Sequence, residues 1–240
     1  MEVSPHIDRG DVTHDRPVIV YYDDATGERT ALSAAELNSW VNRTANLLTR
    51  TGAPGGLAAV LLPPHWRTAA ILLGAWSAGF SVEYQGLATA GLPRIGAGAT
   101  RPIDVTFVAG NQLIYAPAAP TQFLVRLGDD RPLPPSYRDY ALDAEAQSQM
   151  FRVDTNRHRT DAASPDGTTY QQWGSVAREI AALFALQPGD RILVDVAEHD
   201  HPMRWLLAPL AVGATIVLCA NLDAAVLEAR IKSEAVTRVL

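Results

Sequence analysis

Leu57-Ala-Ala-Val-Leu-Leu62 is an unbroken apolar run of strand length, and together with the next two elements it decides the fold. Pro63-Pro64 punctuates the run, and Thr68 to Ala78 is apolar nearly all round, as a buried helix is. Gly79 stops that helix and Phe80-Ser-Val82 begins another strand. Strand, buried helix and strand in this order make a βαβ unit, whose right-handed crossover leaves the two strands parallel.

The same order returns downstream. Arg191-Ile-Leu-Val194 is a strand, a His-containing loop comes next, a helix is predicted around Trp205 to Val212, and Gly213 precedes the strand Thr215-Ile-Val-Leu218. At one fixed offset Val60 meets Val194, His65 meets His199, Leu73 meets Leu207 and Gly79 meets Gly213. Identity between the two stretches is low, so the repeat is one of architecture.

Each unit is preceded by a strong helix start. Ser33 with Glu36 forms a capping box, and Leu32 with Leu37 is placed as a hydrophobic staple. Leu37, Val41, Ala45 and Leu48 give that helix one apolar face, and Gly52 and Pro54 stop it. Thr169 with Gln172 is a second capping box, with Trp173, Val176, Ile180 and Leu183 predicted on one face and Pro188-Gly189 as the stop. Val18 to Tyr22 reads as a strand ending in the turn Asp23-Asp24-Ala25-Thr26-Gly27, and Asp104 to Val108 as another. Ala224 to Ser233 reads as a helix and Val236 to Leu240 as a last strand. Gly86–Pro102 is rich in Gly, Ala and Thr, and Pro117–Pro135 reads as a surface connector, because repeated proline cannot feed a central strand. The expected fold is α/β, a three-layer α/β/α arrangement with mainly parallel sheets and two pseudo-repeated lobes. Lobe 1 is expected at about 16–115, a connector at about 116–166 and lobe 2 at about 167–240.

Composition narrows the function classes. With 240 residues, 48% of them apolar and 19% charged, the chain can bury a large core and is no disordered tail. A net charge of −6 argues against nucleic acid or anionic lipid as the main partner. The opening MEVSPHIDRGDVTHDRPV lacks the pattern of a signal peptide, and no uncharged apolar run is long enough to span a membrane, so a cytoplasmic location is expected. Cys219 is alone, which leaves no internal disulfide framework. Nineteen Arg stand against a single Lys, Lys232. Lysine can be tuned into a base or nucleophile and arginine cannot, so lysine-dependent chemistry has one candidate.

These residues resemble a known family. Tyr21-Tyr-Asp-Asp-Ala-Thr-Gly-Glu-Arg-Thr30, Leu32-Ser-Ala-Ala-Glu-Leu-Asn38, Ala59-Val-Leu-Leu-Pro63 and Leu73-Gly-Ala-Trp-Ser-Ala-Gly79 look like the opening of adenylate-forming enzymes. So do Leu186-Gln-Pro-Gly-Asp-Arg-Ile-Leu193 and Leu207-Ala-Pro-Leu-Ala-Val-Gly-Ala-Thr215. That superfamily comprises acyl-CoA synthetases, peptide-synthetase adenylation domains and luciferases. The chain resembles more closely a family of short actinobacterial proteins with faint similarity to AMP-binding enzymes. The resemblance covers only the front part of the enzymes' large domain, and it implies ATP, AMP or CoA as ligands; the residues themselves name no cofactor.

The family's chemistry, as the resemblance implies it, uses a Ser/Thr/Gly-rich loop with a Pro-Lys-Gly ending around the ATP phosphates. The nearest string is Asp166-Gly167-Thr168-Thr169, which continues Tyr170-Gln-Gln-Trp173 without a lysine. Counting back from Pro188-Gly189-Asp190 puts Thr169 at a helix cap and the family's loop on Asn156 to Ser164, which has neither Gly nor Lys. Thr169 is therefore read as a cap, with a phosphate-loop remnant as the alternative. Lys232 matches no lysine position of the family, and its remaining catalytic segments, as the resemblance implies, lie beyond the matched part.

Glu198-His-Asp-His201-Pro202 comes directly after a predicted parallel strand, and the carboxyl ends of such strands are where ligands bind in open α/β sheets. His199 and His201 are read as a solvated loop pair, with ligand contact or a metal as alternatives; an extended loop would point both the same way. Ala75-Trp-Ser77-Ala-Gly79 has the spacing of a nucleophile elbow but sits at a helix end and is read as a helix stop. Gly91 to Gly98 has phosphate-loop glycine spacing without the Lys-Ser/Thr pair and is read as a loop. Cys219 and the five tryptophans are read as packing. Three functional readings stand: a ligand- or partner-binding module without adenylation activity of its own, an adenylate-forming enzyme completed by another chain, and an oligomerising scaffold.

Overall fold

A computed structural model describes residues 16–51, 55–86, 89, 92, 101–128, 131–152 and 160–240. Both βαβ units are present. In the first, β3 (Leu57–Leu61) leads through α2 (Trp66–Ser77) to β4 (Ser81–Gln85). In the second, β8 (Arg191–Asp195) leads through a π-helical turn (Met203–Leu207) and α5 (Ala208–Ala211) to β9 (Thr215–Ala220). The two units share one register: Leu57 lies opposite Ser81 in the first, and Arg191 opposite Thr215 in the second. Gly79 and Gly213 close the two helices with φ of +77° and +74°, a conformation that L side chains resist. Pro209 has no N–H to give the preceding turn, and the chain widens there instead, with Ala208 N–H bonding back to Met203.

The units lie in different sheets. One sheet runs β10 (Arg238–Val239), β8, β9, β1 (Pro17–Asp23), β2 (Glu28–Ser33). The other runs β4, β3, β5 (Val105–Ala109), β6 (Thr121–Val125), β7 (Arg138–Asp139). All paired strands are parallel except the β1–β2 hairpin. The first two strands thus join the sheet of the second unit, beside β9.

Helices fill the space between the sheets. α1 (Ala34–Thr51) buries Leu37, Val41, Ala45 and Leu48 as its periodicity predicts, and packs on α2. α2 reaches β4 on one side and β1 on the other, and all but one of its residues are buried, which explains a sequence apolar all round. α3 (Tyr140–Glu145) packs on α1 and β6, and α4 (Tyr170–Leu183) packs on α5. The residues alternating out of β8 and β9, Leu193, Val217 and Cys219, are covered from outside by Leu227 and Ile231 of α6 (Leu227–Ser233). Burial pushes the Cys219 thiol up to about 11, so it packs as an apolar group.

Three local expectations are corrected, and one strand is added. The structure adds a strand at Glu28–Ser33, paired to β1. Pro117–Pro135 is not a surface connector: it carries β6, whose Phe123, Leu124 and Val125 are buried between β5 and β7. The prolines flank this strand, so every ladder N–H is retained. On α4 half of the expected apolar face holds, with Trp173 and Ile180 packed against the core, and the rest has turned away. Tyr170, Gly174, Ala177 and Ala181 are buried, while Val176 is 39% and Leu183 74% exposed. The Tyr170 hydroxyl, within reach of the Trp76 and Phe80 carbonyls at 3.3 and 3.0 Å, sets that rotation, and the small residues let α4 approach α5. The helix expected from Ala224 starts at Leu227.

Candidate functional site

The Asp166–Thr169 string closes a tight loop between the Ala162↔Thr169 bridge and the start of α4. Thr169 caps α4: its side chain accepts the Gln172 N–H at 3.2 Å, and Gln172 Oε1 accepts the Thr169 N–H at 2.8 Å. Gly167 sits at φ +88° and donates its N–H to the Ser164 carbonyl at 3.1 Å. The Thr168 N–H goes to Asp166 Oδ1 at 3.0 Å, and Ser164 Oγ donates to the same oxygen at 2.6 Å. A phosphate cradle needs free N–H groups converging on one point. Here the N–H groups of Gly167, Thr168 and Thr169 are spent inside the loop, and a carboxylate sits among them. The Ser164 hydroxyl and the Thr168 N–H hold Asp166 below the usual carboxylate range, so it stays charged. These residues do not fit a nucleotide phosphate. Gly91, Gly96 and residues 156–159 lie outside the described residues.

Two histidines stand after β8, and the structure separates them. The loop is turned, not extended: the Glu198 and His199 N–H groups both bond back to the Asp195 carbonyl. His199 faces Phe184 at the C-terminal end of α4, with ring centroids 6.3 Å apart. His201 stacks on Trp173 in the first turn of α4, at 6.1 Å and 20° between planes. With the rings directed to opposite ends of one helix, a shared metal ion is not their arrangement, and among the described residues no group of three His, Cys, Asp or Glu side chains is placed to hold one.

The structure links His201 to the Asp166 loop through Trp173, whose Nε1–H donates to Ser164 Oγ at 3.0 Å while Ser164 donates on to Asp166. Tyr84, at the end of β4, meets His201 edge-on at 6.4 Å and donates its hydroxyl to the Leu62 carbonyl at 2.9 Å. Gly86 comes at once after the strand, and a Cβ there would stand 2.6 Å from Asp200 Oδ2. The carboxyl ends of the two sheets therefore converge here, β4 bringing Tyr84 and Gly86, and the β8 loop bringing Asp200 and His201. His201 Nδ1 accepts the Met203 N–H at 3.2 Å, so the neutral ring carries its proton on Nε2. Part of His201 is open to solvent, yet the rings packed on it desolvate the imidazole and hold its pKa below the ordinary 6.5. Tyr84, Gly86 and Trp173 were not among the sequence candidates for this site. A glycine directly after a strand was the available signal for one of them.

Lys232 is exposed on α6, the helix that covers the outer face of the β8–β9 sheet. Ser77 is buried and donates to the Leu73 carbonyl within its own helix, so the apparent elbow is a helix end. No described helix is long and apolar enough to cross a membrane.

No family model matches the chain. A TIGR03089 family protein of Mycobacterium tuberculosis is 36% identical over 239 residues, a match spanning 93% of this chain and 91% of that relative. Among solved structures, acetoacetyl-CoA synthetase from Streptomyces lividans superposes with a TM-score of 0.74 at 17% identity, over 100% of this chain and 42% of that one. An acyl-CoA synthetase of Brucella canis gives 0.73 at 17% identity, over 100% of this chain and 47% of that one. The chain spans less than half the length of either enzyme. At this identity the likeness shows the fold, which is that of the N-terminal part of acyl-CoA synthetases.

Proposed function

Since the chain belongs to the TIGR03089 protein family and carries the fold of an acyl-CoA synthetase front half, we propose that it is a binding module without adenylation activity of its own. The observation that carries this reading is Asp166. The loop nearest in sequence to a phosphate cradle has its N–H groups spent internally and a charged carboxylate among them. Phosphoryl and adenylyl transfer depend on cations placed against the phosphates. The single lysine of the sequence stands on α6 instead.

The ligand surface is the convergence of Tyr84, Gly86, Trp173, Asp200 and His201, where aromatic faces and one Nε2–H donor meet solvent. The exposed Val176 and Leu183 on α4 support a protein partner at a separate face of the same module.

Isothermal calorimetry with ATP, AMP, CoA and an acyl-adenylate analogue, paired with ATP–pyrophosphate exchange, tests the reading. Heat from any of these ligands with no exchange supports it. Exchange by the chain alone overturns it, and silence across the whole panel removes the small-molecule half and leaves the partner face.

A further inference from the structure

His65, between β3 and α2, is 1% exposed and holds the cap of α2: its Nδ1 accepts the Arg67 N–H at 3.0 Å. Helix caps are ordinarily Ser, Thr, Asp or Asn, none of which gains a proton near neutral pH. A histidine can. With Nδ1 committed as acceptor, the neutral ring carries its proton on Nε2. That atom is buried without a hydrogen-bond partner, and it stands 3.6 Å from Glu28 Oε1 on β2. The ring is thus bonded to one element and aimed, just out of reach, at another.

The groups facing His65 come from three elements. β1 contributes Tyr21, whose ring meets the imidazole edge at 4.3 Å, and Asp23; β2 contributes Glu28; α2 contributes Arg67 and the Trp66 ring at 5.5 Å. Burial and Arg67 oppose a charge on the imidazole, while Glu28 and Asp23 favour it; burial prevails and keeps His65 neutral below the ordinary histidine range. Glu28 is itself held at about 2, chiefly by His65 with Thr30 and Trp66 adding to the pull, so its carboxylate is charged at any pH well above that.

Protonation therefore has two opposed consequences. Nδ1 gains a hydrogen and can no longer accept the Arg67 N–H, which undoes the cap. Nε2–H gains charge and is drawn to Glu28, which ties α2 to the β1–β2 hairpin. We propose that His65 is a protonation-switched helix cap, exchanging its bond to the Arg67 N–H for an ion pair with Glu28 when the ring is charged. The second βαβ unit has a similar local bond, His201 Nδ1 accepting the Met203 N–H two residues on. His65 is the cap residue itself, whereas His201 stands one residue before Pro202, the cap position of the second crossover.

Long-range proton–nitrogen NMR of the full chain, titrated from pH 8 towards acid, reads the switch. The expected result is a neutral His65 with the proton on Nε2, and then charging of the ring together with a shift and loss of protection of the Arg67 amide. His65→Asn keeps a cap acceptor and does not titrate, so the Arg67 amide becomes independent of pH. Glu28→Gln lowers the His65 midpoint by about one pH unit, as loss of a nearby opposite charge does. Three results overturn the proposal: a neutral ring protonated on Nδ1, charging of His65 with the Arg67 amide unmoved, or a ring that stays neutral down to the pH at which the fold melts. The wild-type titration decides the matter even if either variant fails to fold.

Discussion

Asp166 Oδ1 accepts the Thr168 N–H at 3.0 Å, and this bond places a carboxylate at the centre of the loop that precedes α4. The bond is local, two residues apart, and it links outward through Ser164 to Trp173 and from there to His201. A continuous chain of contacts therefore runs from one small turn to the convergence of the two sheets.

Replacing Asp166 should be felt at Trp173. Asp166→Ala leaves Ser164 Oγ and the Thr168 N–H without their acceptor, a cost of about 1 kcal/mol at this exposed turn. Urea unfolding gives the cost, and a changed Trp173 emission, isolated with Trp173→Phe as reference, reports the transmission.

Gly86→Ala tests the contact between the sheets. Its Cβ would stand 2.6 Å from Asp200 Oδ2 and 3.1 Å from Asp200 Cγ, so the Asp200 carboxylate must turn away. The expected loss of stability is about 1 kcal/mol, since the side chain can move. The His201 ring signals in NMR shift with it, and unmoved signals would show that Asp200 does not set the position of the loop.

Gly74→Ala is expected to be harsher. The new Cβ meets Thr44 Cβ at 2.5 Å, Thr44 Cγ2 at 2.8 Å and the Val41 carbonyl at 3.0 Å, where α1 and α2 touch. Neither helix can withdraw without opening the core, and we expect a loss of about 3 kcal/mol. Thr44→Ala removes Cγ2 but leaves Cβ, so the double variant does not recover; denaturation of all three chains checks this.

Acid should unfold the protein in two stages. His65 and His201 have folded pKa values below 6.5, so the unfolded chain binds protons first, and stability present above about pH 6.5 is lost as pH falls through that range. Glu28, depressed from 4.5 to about 2, adds a second loss between those values. Melting temperature against pH shows both stages, and His65→Asn flattens the first.

Both capping boxes, both glycine stops and the order of the two βαβ units could be read from the chain, because each is written in residues within a turn or two of one another. Leu37, Val41, Ala45 and Leu48 likewise announced the buried face of α1. The face of α4 could be read in this way only in part. Its large apolar residues suggested one side, but the small Gly174, Ala177 and Ala181 sit at the contact with α5, and closeness of approach decided which side was buried. β6 was concealed by flanking prolines, and β2 by a sequence half exposed on the sheet edge. At the site, Asp166, Thr169, His199 and His201 were legible as residue types. Their partners were not.

What the sequence alone determined is the two βαβ units, the capped starts of α1 and α4 and the glycine stops, since helix periodicity, caps and left-handed glycines are local chemistry. Tertiary structure decided which sheet each strand joined, with β1 seated beside β9 and β6 beside β5. It also decided that His199 and His201 part company, that Trp173 bridges His201 to the Asp166 loop, and that His65 faces Glu28. Those choices rest on contacts between residues far apart in the chain. The free energy that selects them comes from burying surfaces against each other, which no short window of sequence contains.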